Sequence, residues 1–173
     1  MAIQQSGALK TKAERRLIIW STWALLLAYL QEPGLVAALF ALPWLLVSLW
    51  LFDRALKKLL LSPLTLADKV QFAAYLYFPI GPLAAFSDRL GWAPLDFSPI
   101  IILLTAAHFH YAGFLLPWIL GNLLGRKVPS PWQHWVAWAV LLGIPAVAVG
   151  ITSAKFGVDP WLETFAATLM ALG

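Results

Sequence analysis

Residues 98–124, SPIIILLTAAHFHYAGFLLPWILGNLL, contain no Asp, Glu, Lys or Arg. At about 1.5 Å of rise per residue the run makes a helix of about 40 Å, enough to cross a hydrocarbon core about 30 Å thick. Two histidines and a tyrosine, His108, His110 and Tyr111, sit near its middle, where a polar side chain needs a partner. Further apolar windows flank it at residues 17–31, 35–52, 70–86, 132–151 and 161–173, with the charges gathered in the gaps. Composition agrees: of 173 residues 61% are hydrophobic and 12% charged, with a mean hydropathy of +0.79. A soluble domain carries about twice that share of charge. The absence of Cys removes disulfide frameworks, thiolate metal sites and cysteine nucleophiles.

The fold class expected is an all-α integral membrane bundle of five full spans plus a short or truncated sixth, forming one transmembrane domain over residues 1–173. The first window lengthens backward into Lys12, Arg15 and Arg16, whose stems can snorkel. Glu32-Pro33-Gly34 makes the turn of a helical hairpin. The sixth window, thirteen residues from Trp161, gives only about 20 Å of helix, so it is read as a half-helix or as the point where a longer reading frame is cut. No small-residue cleavage site follows the first run, which argues against a removed signal peptide.

Lys10, Lys12, Arg15, Arg16, Arg54, Lys57, Lys58, Lys69, Arg126 and Lys127 fall on one side if the spans alternate, and only Arg89 and Lys155 on the other. The positive-inside rule then places the N-terminus in the cytoplasm. Residues 1–16 become a basic cytoplasmic N-terminus and residues 53–69 a cytoplasmic segment, with Arg54 to Pro63 read as a short helix at the headgroups. The net charge of +4 therefore reflects topology, with the lipid bilayer as partner and no nucleic acid. Trp20, Trp50, Trp92, Trp132 and Trp161 sit near predicted span ends as interfacial anchors.

Pro79, Gly81 and Pro82 interrupt the third window. Two missing backbone donors predict a kink or break, and such breaks are where membrane bundles bind substrates. Gln71, Tyr75 and Tyr77 add polar atoms to the same window. On an unbroken helix His108 and His110 diverge by about 200°. His108 then shares a partly polar stripe with Thr105, Tyr111, Ala112 and Asn122. His110 shares one with Ala106, Gly113, Pro117 and Gly121, small enough for a close helix contact. Neutral imidazole serves proton transfer or ligand binding; the alternative is a pair of interhelical hydrogen-bonding groups. A metal site is not expected, because His134 and Glu163 lie near span ends and no Cys is present. No cofactor is implied. Glu32, Asp88, Asp159 and Glu163 fall on the predicted outer side, Asp88 beside Arg89 and Asp159 as a helix cap.

At Leu104-Thr-Ala-Ala-His108-Phe-His110-Tyr111-Ala-Gly113-Phe the chain resembles the YndJ-like family of bacterial multi-pass membrane proteins, which carry an HFHYAGF-like segment in a hydrophobic helix. The resemblance implies a helical bundle in a bacterial plasma membrane. It carries His108, His110, Tyr111 and Gly113 over as signature positions without a catalytic role. It also implies that members continue beyond this chain's end. The leading expectation is binding or translocation of a small lipophilic substrate, with His108 as proton or hydrogen-bond partner, Tyr111 orienting the ligand, and His110, Asn122, Tyr75 and Tyr77 completing the site. The competing expectations are an intramembrane enzyme doing acid–base chemistry on an isoprenoid or lipid, with His108 or His110 assisted by Asp88 or Glu32, and a structural or assembly subunit. Oligomeric state is not legible in the sequence.

Overall fold

The computed structural model describes residues 11–61, 64–125 and 129–157 together with positions 161, 164 and 168, and all regular structure among them is helical. Helix α1 (Lys12–Tyr29) begins at a capping box in which the Thr11 hydroxyl accepts from the Glu14 amide at 3.2 Å. The Glu14 carboxylate accepts in return from the Thr11 amide, also at 3.2 Å. Helix α2 runs Leu35–Leu61. The short headgroup helix expected over residues 54–63 is thus a continuation of α2 as far as Leu61. Nothing between Phe52 and Leu61 breaks a helix, and Lys57 bridges Asp53 one turn back at 2.6 Å.

The third window is broken where its prolines predicted. Helix α3 spans Leu66–Tyr77 and α4 Ile80–Leu90, with Phe78 and Pro79 between. A 3-10 turn, Pro94–Asp96, leads to α5 (Pro99–His110). A π-helical turn, Tyr111–Leu115, joins α5 to α6 (Leu116–Leu124), and α7 covers Pro131–Lys155. Among the described residues three helical runs are long and apolar enough to cross a membrane: Leu35–Leu60, the continuous Pro99–Leu124, and Pro131–Lys155. Helix α1 has 18 residues but opens with Lys12, Glu14, Arg15 and Arg16, and α3 and α4 have 12 and 11 residues. Residues 62–63 and 126–128, the Asp159 cap, Glu163 and the rest of the sixth window lie outside the described residues, apart from the single positions named above.

The chain, expected as one domain, divides into two compact units, Met1–Leu51 with Pro79–Ala106 and Phe52–Phe78 with Ala107–Gly173. The first unit buries small side chains: Ala28, Ala37, Ala38, Ala41 and Ala85 are at most 2% exposed. Lipid tails are as apolar as leucine, so close backbone approach and dispersion, rather than escape from water, hold such helices together. The buried hydroxyls of Ser21, Ser48 and Ser87 donate to the carbonyls of Ile18, Leu45 and Leu83 within their own helices.

Arg89 grips the α1–α2 turn of this unit. Its backbone carbonyl accepts from the Gly34 amide at 2.7 Å, and Nη1 donates to the Gln31 carbonyl at 3.2 Å. The guanidinium lies 4.5 Å over the Tyr29 ring, and Nη2 meets Asp88 at 2.7 Å, with the two side chains only 13% and 11% exposed. A charge this enclosed is tolerated because each of the three guanidinium nitrogens has an acceptor, two of them on the Asp88 carboxylate. Gly91 closes α4 with φ +75°, a left-handed conformation in which glycine pays no Cβ penalty.

In the second unit α3, α6 and α7 pack around Val70, Ala73, Leu124, Ala137 and Leu141. A continuing cluster holds Phe109, Val140 and Ile144. Gly121 lets α6 lie directly on α3: a Cβ there would strike the Gln71 side chain and stand 3.0 Å from the Gln71 amide nitrogen and 3.1 Å from the Ala67 carbonyl oxygen. Thr65 and Asp68 form a capping box at the start of α3, and Lys58 reaches Asp68 at 3.3 Å. Burial pushes the Asp68 carboxyl up, but the Thr65 hydrogen bonds and Lys58 outweigh it, and the group titrates below its ordinary range.

Gly121→Ala is expected to cost about 1–3 kcal/mol, since backbone atoms must move. Gly125→Ala, whose new Cβ would meet nothing nearer than 3.4 Å, is expected to stay within about 0.5 kcal/mol; unfolding of both variants in detergent measures the difference. Because the folded-state carboxyl of Asp68 is depressed, its stabilisation is present above the unfolded value of about 3.9 and lost as pH falls through the lower folded value. Stability measured against pH should therefore decline less steeply below about pH 4 in Asp68→Asn than in the parent protein.

Candidate functional site

The long helix of residues 99–124 changes hydrogen-bonding pattern at its centre, and proline causes the change. Pro117 has no N–H, and the Leu116 amide reaches back five residues to the Tyr111 carbonyl rather than four to Ala112. The Ala112 carbonyl is thereby left without either helical donor, since the i+4 group serves Tyr111 and the i+5 group is proline. Such π turns are rare and concentrate at functional sites. His108 and His110 lie in the last turn of α5, immediately before it.

The two imidazoles have different surroundings. The His108 Nε2 atom is buried and has no hydrogen-bond partner; the ring stands edge-on to Phe109 at 5.3 Å. His110 lies in an aromatic cluster of the second unit, 5.7 Å from Phe78 at an interplanar angle of 89°. Phe78 stacks on Phe114 at 4.3 Å, and Tyr75 meets the edge of Phe114 at 5.8 Å. The small-residue face predicted for His110 continues through Gly113, Pro117 and Gly121, all three buried. Gly113 sits 3.4 Å, measured from its notional Cβ, from the Tyr77 Cβ.

Tyr77, expected as a ligand-binding residue, has its hydroxyl committed within the bundle. It donates to the Leu141 carbonyl at 2.7 Å. The helical donor to that carbonyl would be the amide of residue 145, which is Pro145, inside α7. The phenol thus replaces a missing main-chain donor where no water is at hand. Pro145 four residues after Leu141 was the sequence signal for this contact; which side chain answers it depends on tertiary packing.

Other expected site residues are dispersed. Tyr111 is 69% exposed. Asn122 donates its amide to the Trp118 carbonyl at 2.6 Å, within its own helix. The Asn122 side chain is thus engaged within α6. Asp88 is committed to Arg89, and Glu32 is exposed at the hairpin turn. His134 hydrogen-bonds the Ser130 carbonyl at 3.0 Å. Among the described residues no three His, Cys, Asp or Glu side chains converge as metal ligands.

Helices of this length and apolarity, one of them carrying a π turn beside a histidine pair, are those of a helical membrane protein. The model of the family described as YndJ-like protein matches residues 2–173, and the chain belongs to that family. It is similar to the uncharacterized membrane protein YndJ of Bacillus subtilis (strain 168), 46% identical over 63 residues, which are 35% of this chain and 11% of that protein. The match thus spans about a tenth of the relative's length. No solved structure matches.

Tyr77→Phe is expected to cost about 1–3 kcal/mol, because the Leu141 carbonyl loses its donor in an apolar setting. In a Pro145→Ala background, where residue 145 regains an N–H, the same substitution should cost less than half as much. A double-mutant cycle measured by reversible unfolding in mixed micelles reads this coupling directly.

Proposed function

We propose that this membrane protein binds, and in its full assembly translocates, a small lipophilic molecule at a polar point centred on His108. One observation carries the proposal: the buried His108 Nε2 has no partner. Leaving such a group unsatisfied costs about 1–3 kcal/mol, so a neutral apolar residue would serve folding better. A group kept at that cost fits a role in recognising something else. The π turn that begins one residue beyond the histidine pair supports the same reading.

The membrane arrangement proposed with it has five crossings and a cytoplasmic N-terminus in a bacterial plasma membrane. Helix α1 crosses with its cationic first turn snorkelling. Helices α3 and α4 cross together as one broken span. The concentration of ten of the twelve Lys and Arg residues on one side of that arrangement supports the orientation.

His108→Leu removes the unsatisfied nitrogen while keeping an apolar side chain of fair size. The variant is expected to fold with unchanged or slightly raised thermal stability and to lose a lipophilic species that copurifies with the parent protein. Organic extracts of both, compared by mass spectrometry, make the test. Identical extracts, or a His108→Leu protein that no longer folds, would turn the histidine into a structural group.

A further inference from the structure

Resting on the ligand-binding reading of His108, we infer that the ligand is a neutral amphiphile bearing a hydroxyl group, and that its hydroxyl proton is donated to the freed Ala112 carbonyl or to the imidazole one turn away. Three features of the second unit lead there. The first is the nature of the two open positions. A main-chain carbonyl accepts and never donates, so whatever satisfies Ala112 must carry a donor. Imidazole Nε2 accepts or donates according to tautomer, so it tolerates the same group.

The second is geometry. His108 and Ala112 are four residues apart, on one face of the helix and about 6 Å apart along its axis. The Ala112 carbonyl is open because the Leu116 amide is given to Tyr111 and Pro117 has none to give. Both positions therefore lie along one uncharged face, the carbonyl directed toward the helix C-terminus and the imidazole leaning back toward its N-terminus, as suits an elongated molecule with little polar surface.

The third is charge. Residues 97–125 contain no Asp, Glu, Lys or Arg, and α3 carries none beyond Lys69. A carboxylate, phosphate or ammonium head drawn to this depth would be desolvated without a counter-ion. An ether or ester would have no proton to offer the carbonyl. An alcohol meets both conditions, since its O–H donates while its oxygen accepts.

The test uses the 173-residue chain in nanodiscs and four probes of equal chain length: a long-chain primary alcohol, its methyl ether, the corresponding fatty acid and the alkane. Binding is followed by thermal shift and by displacement of a photoreactive analogue of the alcohol. The alcohol should bind about tenfold or more tightly than the ether, a difference of about 1.4 kcal/mol, with acid and alkane weaker still. Pro117→Ala, which supplies an N–H at position 117 and closes the helix over its carbonyls, should lower alcohol affinity severalfold while the protein remains folded. His108→Gln, which keeps a polar group, should lower it less than His108→Phe.

Equal affinity for alcohol and ether, lost together in His108→Phe, leaves a lipophilic site at His108 and overturns the hydroxyl assignment. Tighter binding of the fatty acid overturns it as well. No binding of any probe above the level seen in His108→Phe overturns both the assignment and the ligand-binding reading beneath it.

Discussion

A carbonyl oxygen inside a bilayer has no water to turn to, and that constraint organises this protein. A helix in hydrocarbon satisfies its own backbone, so each proline placed inside one creates a debt at a known address, four residues earlier. Pro145 opens Leu141, and the Tyr77 hydroxyl closes it from α3. Pro79 and Pro82 end α3 and restart the chain as α4. At Pro117 the address shifts by one: the Leu116 amide goes to Tyr111, so Ala112, five residues before the proline, has neither helical donor. The first case is answered by a side chain, and the second falls where one helix gives way to the next. The third is unresolved and stands beside a histidine whose Nε2 is likewise unanswered.

The contrast with the other polar groups sharpens that coincidence. Ser21, Ser48, Ser87, Thr105 and Thr152 each return a hydroxyl to their own helix backbone. Arg89 spends its donors on Asp88 and Gln31 and its flat face on Tyr29. Where polarity is structural here, it is satisfied nearby and often within one helical turn. Against that habit the buried Nε2 of His108, without a hydrogen-bond partner, is an exception.

Packing follows a second rule with the same origin. Without water to expel, helices associate through fit, and glycine and alanine provide it. Gly121 brings α6 onto the backbone of α3, and the alanines of α1, α2 and α4 occupy the core of the other unit. Large apolar side chains such as Trp20, Leu30 and Leu60 point outward, an inversion of the soluble pattern that suits a lipid surround.

Membrane class, the α1–α2 hairpin turn and the break at Pro79 were all legible in the sequence, because each follows from local chemistry: hydropathy, a missing N–H, a permissive glycine. The small-residue face through Gly113 and Gly121 was legible too. The sequence did not decide that α2 would run on to Leu61, that Asn122 would donate to the Trp118 carbonyl of its own helix, or that Tyr77 would serve Leu141. Those outcomes depend on which groups meet across distances of tens of residues, and a main-chain carbonyl carries no signature in the sequence of what will come to satisfy it. Local chemistry determined where the backbone would be left wanting; only the packing of one helix on another determined which of those positions was answered and which stayed open.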